Sequence, residues 1–507
     1  MRNFFLVLLF IPVVFFGQIN FDKAPEDFQL FPRNNNNNAT VIFSGNFKEV
    51  IEFKELKLKL FKDDLLVSEK TLEIINKKFE ISSIIEAGLF QYRFELHSKK
   101  GDNESLLYKA NNIVCGDAYI ITGQSNSHAS SKKSTYSSSF ARSFGVKTGY
   151  ETYSEEDKMV RWGLATGNCK NCKGKSWEAG YVGGWFEKVS HGVGVWGMEL
   201  SKLLIEKYQI PVCIINGGSG SSTIQENMLF PEKISLETSF GRLAYRVDQA
   251  ELKNNIKAIF YHQGESDTYS GLSFYKGRKR GEYTGYAENF EILNSDWQRV
   301  YKGLKKIYLF QIHPGCGGDF QSEIREIQNQ ISKKYNNVEI MSTTSVIGHD
   351  GCHFSYKGYK EFAKRILPLV SRDLFEEKNS AIITPPKLMS VHYSRKKEIT
   401  LTFDQPIEIE DYYELKGTKH LMKNQFFFSR ALEKTSIHGV INSLEAKNDQ
   451  IIISLNTDQK YSSVSYTPNM YYLNTKDIYN GPWIKGLTNQ IGALTFHNIK
   501  INNSINP

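Results

Sequence analysis

The sequence predicts an α/β fold in which a parallel sheet, covered by helices on both faces, is flanked by an N-terminal and a C-terminal β-sandwich. Three observations lead there. Apolar and polar residues alternate with period two over residues 19–111 and again over 381–507, the pattern of half-buried antiparallel strands. Between them, over 113–375, short apolar runs take turns with helical periodicities, the pattern of strand–helix–strand units. A chain of 507 residues is also too long for one ordinary domain of roughly 100–200 residues.

The first segment lies outside this fold. Met1-Arg2-Asn3 is a short basic stretch, Phe4 to Phe16 is an apolar run broken only by Pro12, and Gly17 and Gln18 follow. Residues 1–17 read as a secretory signal peptide, too short to span a bilayer comfortably. No cysteine stands at the cut, so a bacterial lipid anchor is not expected. No other stretch approaches the roughly eighteen apolar residues of a spanning helix. The mature protein is therefore expected to be secreted or periplasmic, with no stable membrane insertion once the signal is removed.

The N-terminal alternation is clear in Thr40-Val41-Ile42-Phe43, in Glu55-Leu56-Lys57-Leu58-Lys59-Leu60 and in Tyr92-Arg93-Phe94-Glu95-Leu96, with Asn34 to Asn38 as a low-complexity loop. In the central region, strands are expected at Ala118–Thr122, Val212–Ile215, Ile256–Tyr261, Ile307–Ile312 and Val338–Met341. Helices follow from spacings of three and four: Leu200, Leu203, Leu204, Tyr208; Tyr286, Phe290, Leu293, Trp297, Tyr301, Leu304; Phe320, Ile324, Ile327, Ile331; and Phe362, Ile366, Leu369. A long insertion, 127–195, interrupts the first crossover; it opens Ser/Lys-rich and then carries Trp162, Trp177, Trp185 and many glycines. Pro385-Pro386 marks the linker to the last region, where Glu398–Phe403 and Gln450–Leu455 read as strands.

Composition narrows the function. An apolar fraction of 40% and a charged fraction of 23% are globular values and exclude a disordered or collagen-like chain. The net charge of +8, from 63 basic and 55 acidic residues, is mild and concentrated in no long run, so no nucleic-acid partner is expected. Six cysteines, Cys115, Cys169, Cys172, Cys213, Cys316 and Cys352, permit disulfides in an oxidising compartment without giving their pairing. Cys169 and Cys172 form one CxxC in a Gly/Lys-rich loop; a zinc site would want a second such pair, and none is evident. Cys115 and Cys213 fall on core strands, where buried thiols are the simpler reading.

In an open α/β sheet, ligands bind beyond the carboxyl ends of the strands. The residues just after each expected strand therefore carry the functional signal. Gly123-Gln124-Ser125-Asn126 puts a serine on a tight turn, where its hydroxyl can be exposed and its N–H can face a developing oxyanion. Asn216-Gly217-Gly218-Ser219-Gly220-Ser221-Ser222 offers backbone N–H groups that glycine lets a ligand approach. His262-Gln263-Gly264-Glu265-Ser266-Asp267 supplies an amide donor, Gln263, and two acids, Glu265 and Asp267, able to tie the loop down. His349-Asp350-Gly351-Cys352-His353 places Asp350 and His353 about one turn apart, so a carboxylate can hold an imidazole whose other nitrogen faces a hydroxyl. Singly, each stretch reads more simply as a turn, a flexible loop or a helix cap; His349 rivals His353, and His349 with His353 could also hold a metal. Together they set a serine, oxyanion donors and an Asp–His pair on one rim of one sheet, in the chain order Ser…Asp…His.

These motifs also resemble a family. Gly116-Asp117-Ala118-Tyr119-Ile120-Ile121-Thr122-Gly123-Gln124-Ser125-Asn126 resembles the first block of the sialate O-acetylesterase group of SGNH hydrolases, which are secreted carbohydrate esterases. Tyr261 to Asp267 is similar to their Gln-Gly-Glu block, Arg325-Glu326-Ile327-Gln328 to their Arg-x-x-Gln helix, and Asp350-Gly351-Cys352-His353 to their terminal Asp-x-x-His block. The resemblance covers roughly 113–375, with the motifs in the family's order. It implies a flavodoxin-like three-layer α/β/α domain and removal of O-acetyl groups from a glycan.

Carried over residue by residue, the resemblance implies Ser125 as nucleophile, His353 as general base and Asp350 as its orienter. The Ser125 N–H, the Gly220 N–H and the Gln263 side chain would form the oxyanion hole, with Glu265, Asp267 and Arg325 in support. Where the family often has Gly-Gly-Thr, this chain has Gly220-Ser221-Ser222, which makes Gly218 a rival to Gly220. The mechanism needs no metal or organic cofactor. A non-catalytic glycan-binding protein, or a hydrolase of a non-carbohydrate ester, is the rival reading. Trp162, Trp177, Trp185 and Trp196 could stack on sugars or pack the core. Oligomeric state is not legible.

Overall fold

The computed structural model describes residues 19–503, apart from 49–50, 130–135, 147–159, 168–190, 229–237, 272–273, 276–277, 280, 379, 416, 430–438 and 468–479. The expected signal peptide, the Cys169–Cys172 pair, Trp177 and Trp185 lie outside the described residues. The chain divides into two compact units, Met1–Gly116 and Asp117–Pro507.

The first unit is all β. Its strands are β1 (Ile19–Lys23), β2 (Leu30–Pro32), β3 (Asn38–Phe47), β4 (Glu55–Lys62), β5 (Leu65–Glu73), β6 (Lys78–Glu86), β7 (Tyr92–Lys100) and the start of β8 (Asn103–Gly123). Antiparallel β1 and β6 flank β3, and β5 and β7 flank β4. Period-two patterning decides which faces turn inward. Val41 and Phe43, Leu56, Leu58 and Leu60, and Phe94 and Leu96 meet in one apolar core. The β4–β5 turn is two residues, Asp63 and Asp64, both at positive φ (47° and 66°), the backbone that matches the twist of a tight hairpin.

The second unit is built on a sheet to which β8 contributes its last residues. After β8 come β9 (Ala141–Val146), β10 (Val160–Leu164), β11 (Val212–Asn216) and β12 (Ile256–His262). A small hairpin, β13 (Phe274–Tyr275) and β14 (Arg278–Lys279), precedes β15 (Lys306–Phe310) and β16 (Val338–Met341). The strand order is β10-β9-β11-β8-β12-β15-β16. Every neighbouring pair is parallel except β10 on β9. All five residues of β11 are buried, which is why these strands read as unbroken apolar runs rather than alternations. The helices are α1 (Ser125–His128), α2 (Gly194–Tyr208), α3 (Ser239–Gln249), α4 (Tyr286–Val300), α5 (Gln321–Lys334) and α6 (Tyr356–Leu374). Thr238 caps α3 by accepting from the Gly241 N–H at 2.9 Å, and Ser355 caps α6 by accepting from the Gly358 N–H at 3.2 Å.

The same unit continues into a β-rich region: β17 (Leu388–Arg395), β18 (Glu398–Phe403), β19 (Ile407–Ile409), β20 (Tyr412–Leu415), β21 (Thr418–Leu421), β22 (Phe426–Ser429), β23 (Ile441–Lys447), β24 (Gln450–Leu455), β25 (Ser463–Tyr466), β26 (Ile484–Gly486) and β27 (Phe496–Lys500). A sheet ordered β17-β18-β24-β23 and another ordered β22-β25-β27 share one core, in which Ile399, Leu401, Ile451 and Ile453 meet Phe426, Phe428, Val464 and Phe496. Buried polar contacts join this region to the β15–β16 side of the larger sheet. The Thr495 N–H donates to Gln311 Oε1 at 2.9 Å, Gln311 Nε2 returns a bond to the Thr495 carbonyl at 3.0 Å, and Thr344 Oγ1 donates to the Ala493 carbonyl at 2.8 Å. No helix among the described residues is long and apolar enough to cross a membrane.

Candidate active site

The site starts from Gly123, the last residue of β8. Its φ of +128° suits glycine alone, and a Cβ there would run into the His262 carbonyl of β12. The chain can therefore leave β8 pressed against β12, with the Gln124 N–H donating to the His262 carbonyl at 2.9 Å. Ser125 follows at the first position of α1, half-buried, where its N–H has no intrahelical acceptor.

Ser125 Oγ lies 2.9 Å from His353 Nε2. The structure thus brings together two groups 228 residues apart, at a distance at which the hydroxyl can donate to the ring. Burial pushes the His353 imidazole below its ordinary value of 6.5, against a smaller upward pull from Asp350. A neutral ring is the form that can accept the proton. Asp350 is placed differently from the orienting role expected of it. Its carboxylate is 60% exposed, and Oδ1 stands 4.0 Å from His353 Nδ1, beyond hydrogen-bond reach. That oxygen instead accepts from the backbone N–H groups of Cys352 at 3.0 Å and His353 at 2.8 Å, closing a tight turn.

Gln263, expected among the oxyanion donors, is fully buried with its amide turned into the protein. Nε2 donates to the Ser222 carbonyl at 3.1 Å and to the Asp267 carboxylate, and Oε1 accepts from Tyr261 at 3.2 Å. An amide so occupied would have to abandon a buried partner to reach an oxyanion. Asp267 takes the tying role: both its oxygens accept from the Ile224 N–H, at 3.1 and 3.2 Å, so it fastens the glycine-containing loop to the Gln-Gly-Glu turn. Burial raises its carboxyl from 3.8 to about 7. In that loop the Gly218 N–H is taken by Asn216 Oδ1 at 2.9 Å, whereas the Ser219 N–H fastens Gly220's neighbour to the Gly123 carbonyl at 2.8 Å.

Glu265 is buried beside Asn126 and His262. It accepts from Asn126 Nδ2 at 2.9 Å, and Oε1 lies 3.2 Å from His262 Nε2. Burial pushes its carboxyl up, but the His262 ring and the Asn126 amide outweigh that and leave it below its ordinary value. Arg325 is buried with Nη2 on Ser322 Oγ at 3.1 Å, on α5 rather than at the reacting pair. Its motif partner Gln328 does more for the site: Nε2 donates to the Gln263 carbonyl at 3.0 Å and Oε1 accepts from the Ile312 N–H at 2.9 Å.

Asn126 was not singled out by sequence reasoning. Its amide donates to Glu265 and to the Cys352 carbonyl at 3.0 Å, its Oδ1 accepts from Tyr359 at 2.9 Å, and its own carbonyl accepts from Trp196 Nε1 at 3.0 Å. It laces the serine turn to the histidine turn. Gln124 Oε1 likewise accepts from the N–H groups of Gly264 and Ser266, each at 3.2 Å. The available signal was position alone, since both residues flank the serine within its motif.

A family model described as carbohydrate esterase, sialic acid-specific acetylesterase, matches residues 115–370. The chain belongs to this family of carbohydrate esterases. Among solved structures, the esterase is similar to XAC1771, a carbohydrate acetylesterase from Xanthomonas citri, at 11% identity over 95% of this chain and 98% of that one, with a TM-score of 0.56; the likeness is one of fold. A protein from Arabidopsis thaliana (18% identity, 51% of this chain and 98% of that one, TM-score 0.37) and NanS (11% identity, 52% and 99%, TM-score 0.37) resemble it more distantly. No curated protein sequence matches it significantly.

Two tryptophans offered as sugar platforms pack the esterase instead. Trp196 is fully buried, with its ring centroid 5.4 Å from Phe310, and Trp162 is buried edge-on to Phe144 at 5.3 Å. Cys115 and Cys213 are buried and outside any disulfide, and Cys316 is disulfide-bonded to Cys352. Among the described residues, no group of three or more His, Cys, Asp or Glu side chains could hold a metal ion. His349 is buried, its ring 3.8 Å from that of His313, and burial takes it down to about 3.

Proposed function

We propose that this esterase is exported and removes O-acetyl groups from a glycan through an acyl-enzyme on Ser125. The observation that carries the reading is the 2.9 Å contact between Ser125 Oγ and His353 Nε2. Neutral His353 takes the hydroxyl proton as Ser125 Oγ attacks the ester carbonyl. The tetrahedral oxyanion sits at the Ser125 N–H, with the Gly220 N–H as second donor. His353 then gives its proton to the departing sugar oxygen, the C–O bond breaks, and the acetyl group stays on Ser125. Water, deprotonated by the same ring, repeats the attack and releases acetate. Asp350 acts by holding the backbone of the turn that carries His353 and by its negative charge. Gln263, with Asp267, fixes the shape of the oxyanion loop.

A three-layer domain with a flavodoxin-like sheet, preceded in sequence by a β-sandwich domain at 19–111 and followed by one at 381–507, belongs to the same reading. The parallel pairing of β11, β8, β12, β15 and β16 supports it. Export is supported by the pattern of residues 1–17 and by the Cys316–Cys352 disulfide, a bond that persists in oxidising compartments.

Ser125→Ala should lower acetate release from an O-acetylated glycan or aryl acetate by about 10⁴-fold or more. Undiminished turnover by a folded variant overturns the nucleophile assignment. A panel of O-acetylated sialic acids, xylan and pectin then names the sugar.

A further inference from the structure

We propose that the Cys316–Cys352 disulfide positions the catalytic histidine by fixing in place the turn that carries it. The inference rests on the acyl-enzyme reading above. It begins from the Asp350 geometry: a carboxylate 60% exposed and 4.0 Å from Nδ1 cannot hold the ring by a hydrogen bond. Where the turn itself sits also decides whether Nε2 meets Ser125.

The turn that carries His353 contains Gly348 and Gly351, both at positive φ (76° and 109°). Its internal bonds, such as the Asp350 N–H to the His353 carbonyl at 2.8 Å, fix its shape without fixing where it sits relative to Ser125. Position has to come from links that leave the turn. Two converge on Cys352, the residue next to His353. The Asn126 amide holds its carbonyl at 3.0 Å, and its sulfur is bonded to Cys316, with the two Cα atoms 4.6 Å apart.

The far end of the bridge is firmly held. Cys316 lies in a turn after β15 in which the Gly315 N–H donates to Gln321 Oε1 at 2.8 Å and the Gly318 N–H to Thr268 Oγ1 at 2.5 Å. Thr268 Oγ1 in turn donates to the Glu265 carbonyl at 2.9 Å, and the Glu265 side chain accepts from Asn126, the residue after Ser125. The links close a ring: Ser125, Asn126, Glu265, Thr268, the Cys316 turn, Cys352, His353 and back to Ser125. The disulfide is the one covalent cross-link in that ring. Both half-cystines are half-buried, so a small reductant can reach them.

The test uses the full chain. A dithiol supplies two electrons and two protons; the S–S bond breaks, Cys316 and Cys352 become thiols, and the dithiol closes to its own disulfide. Turnover of a small acetyl ester and the rate at which a fluorophosphonate labels Ser125 are measured on oxidised, reduced and reoxidised protein. The same measurements are made on Cys316→Ala/Cys352→Ala and on Ser125→Ala. Reduction should lower kcat and the labelling rate by about tenfold or more, with KM changed less than about twofold, and reoxidation should restore both. The double variant should start low and ignore reductant. Reduced, folded wild type with kcat within twofold of the oxidised protein overturns the inference, as does a double variant that still loses activity on reduction, since reduction would then act elsewhere. Reduction in place keeps the test decisive where the double variant fails to fold. Retained turnover by Ser125→Ala would instead overturn the acyl-enzyme reading; its loss beside an indifferent bridge would leave that reading standing.

Discussion

In the proposed mechanism His353 must be neutral to take the Ser125 proton, and burial, the largest influence on it, favours that form. Because its pKa lies below 6.5, the base is fully available at neutral pH and is lost as pH falls through the lowered value. A plot of kcat/KM against pH should therefore be flat near neutrality, with an acid limb whose midpoint lies below 6.5; a midpoint above it would contradict the buried ring. Asp350 allows a sharper test. Asparagine keeps an oxygen for the Cys352 and His353 N–H groups but loses the charge, and alanine loses both. Asp350→Asn should cost less than about tenfold in kcat, far from the ~10⁴ of a triad whose carboxylate bonds the imidazole, and Asp350→Ala should cost more than Asn. A collapse of kcat in Asp350→Asn alone would show that the resting geometry tightens when substrate binds. The meeting of Ser125 and His353 was legible because their motifs follow strands that the sequence also shows. The task of Asp350 was not, since an Asp three residues before a His fits both a ring contact and a backbone cap. Nor was the amide direction of Gln263, which its buried neighbours set.

The site is made by strand ends, and the parallel strands were the most legible elements. Buried on both faces, each appears in sequence as an apolar run, and β11, β12, β15 and β16 form where those runs lie. α3 was passed over although Phe240, Leu243, Ala244 and Val247 carry a helical spacing and are buried. β9 and β10 extend the sheet from within the insertion, where neighbouring polar residues masked two short strands. The element most exposed to a single change is the β8–α1 turn. Gly123→Ala forces a Cβ both into a positive φ and onto the His262 carbonyl, which the β8–β12 pairing cannot yield without parting. It should cost more than about 2 kcal/mol and remove activity. Gly285→Ala, where a Cβ meets only Asn289 at 3.5 Å, should fold and turn over like the parent. Thermal unfolding and acetate release of the two variants check this, and a stable, active Gly123→Ala would refute the close-approach argument.

At the scale of the whole chain, the region after residue 381 is tied to the catalytic sheet by groups the sequence could not pair. Gln311, 1% exposed, accepts from the Thr495 N–H and donates to the Thr495 carbonyl, while Asn329 Nδ2 reaches the same carbonyl at 2.8 Å. Trp483 stacks edge-on to His313 at 5.4 Å, and His313 lies against His349, which begins the Asp-x-x-His turn. Gln311 and Thr495 sit in loops with no periodicity and Asn329 is a polar residue on α5, so composition marked a linker at Pro385-Pro386 but gave no sign of what crosses it. A buried amide or carbonyl left unpaired costs about 1–3 kcal/mol, and removing the C-terminal region strips partners from Gln311, Asn329, Ser342 and Thr344 at once. Their sum rivals the 5–15 kcal/mol by which an ordinary domain is stable. A chain of residues 19–380 should therefore be insoluble or loosely packed and inactive. Gel filtration and near-UV circular dichroism beside an acetate assay decide it. A monodisperse, fully active 19–380 protein would show that the His353 turn needs nothing from beyond the linker.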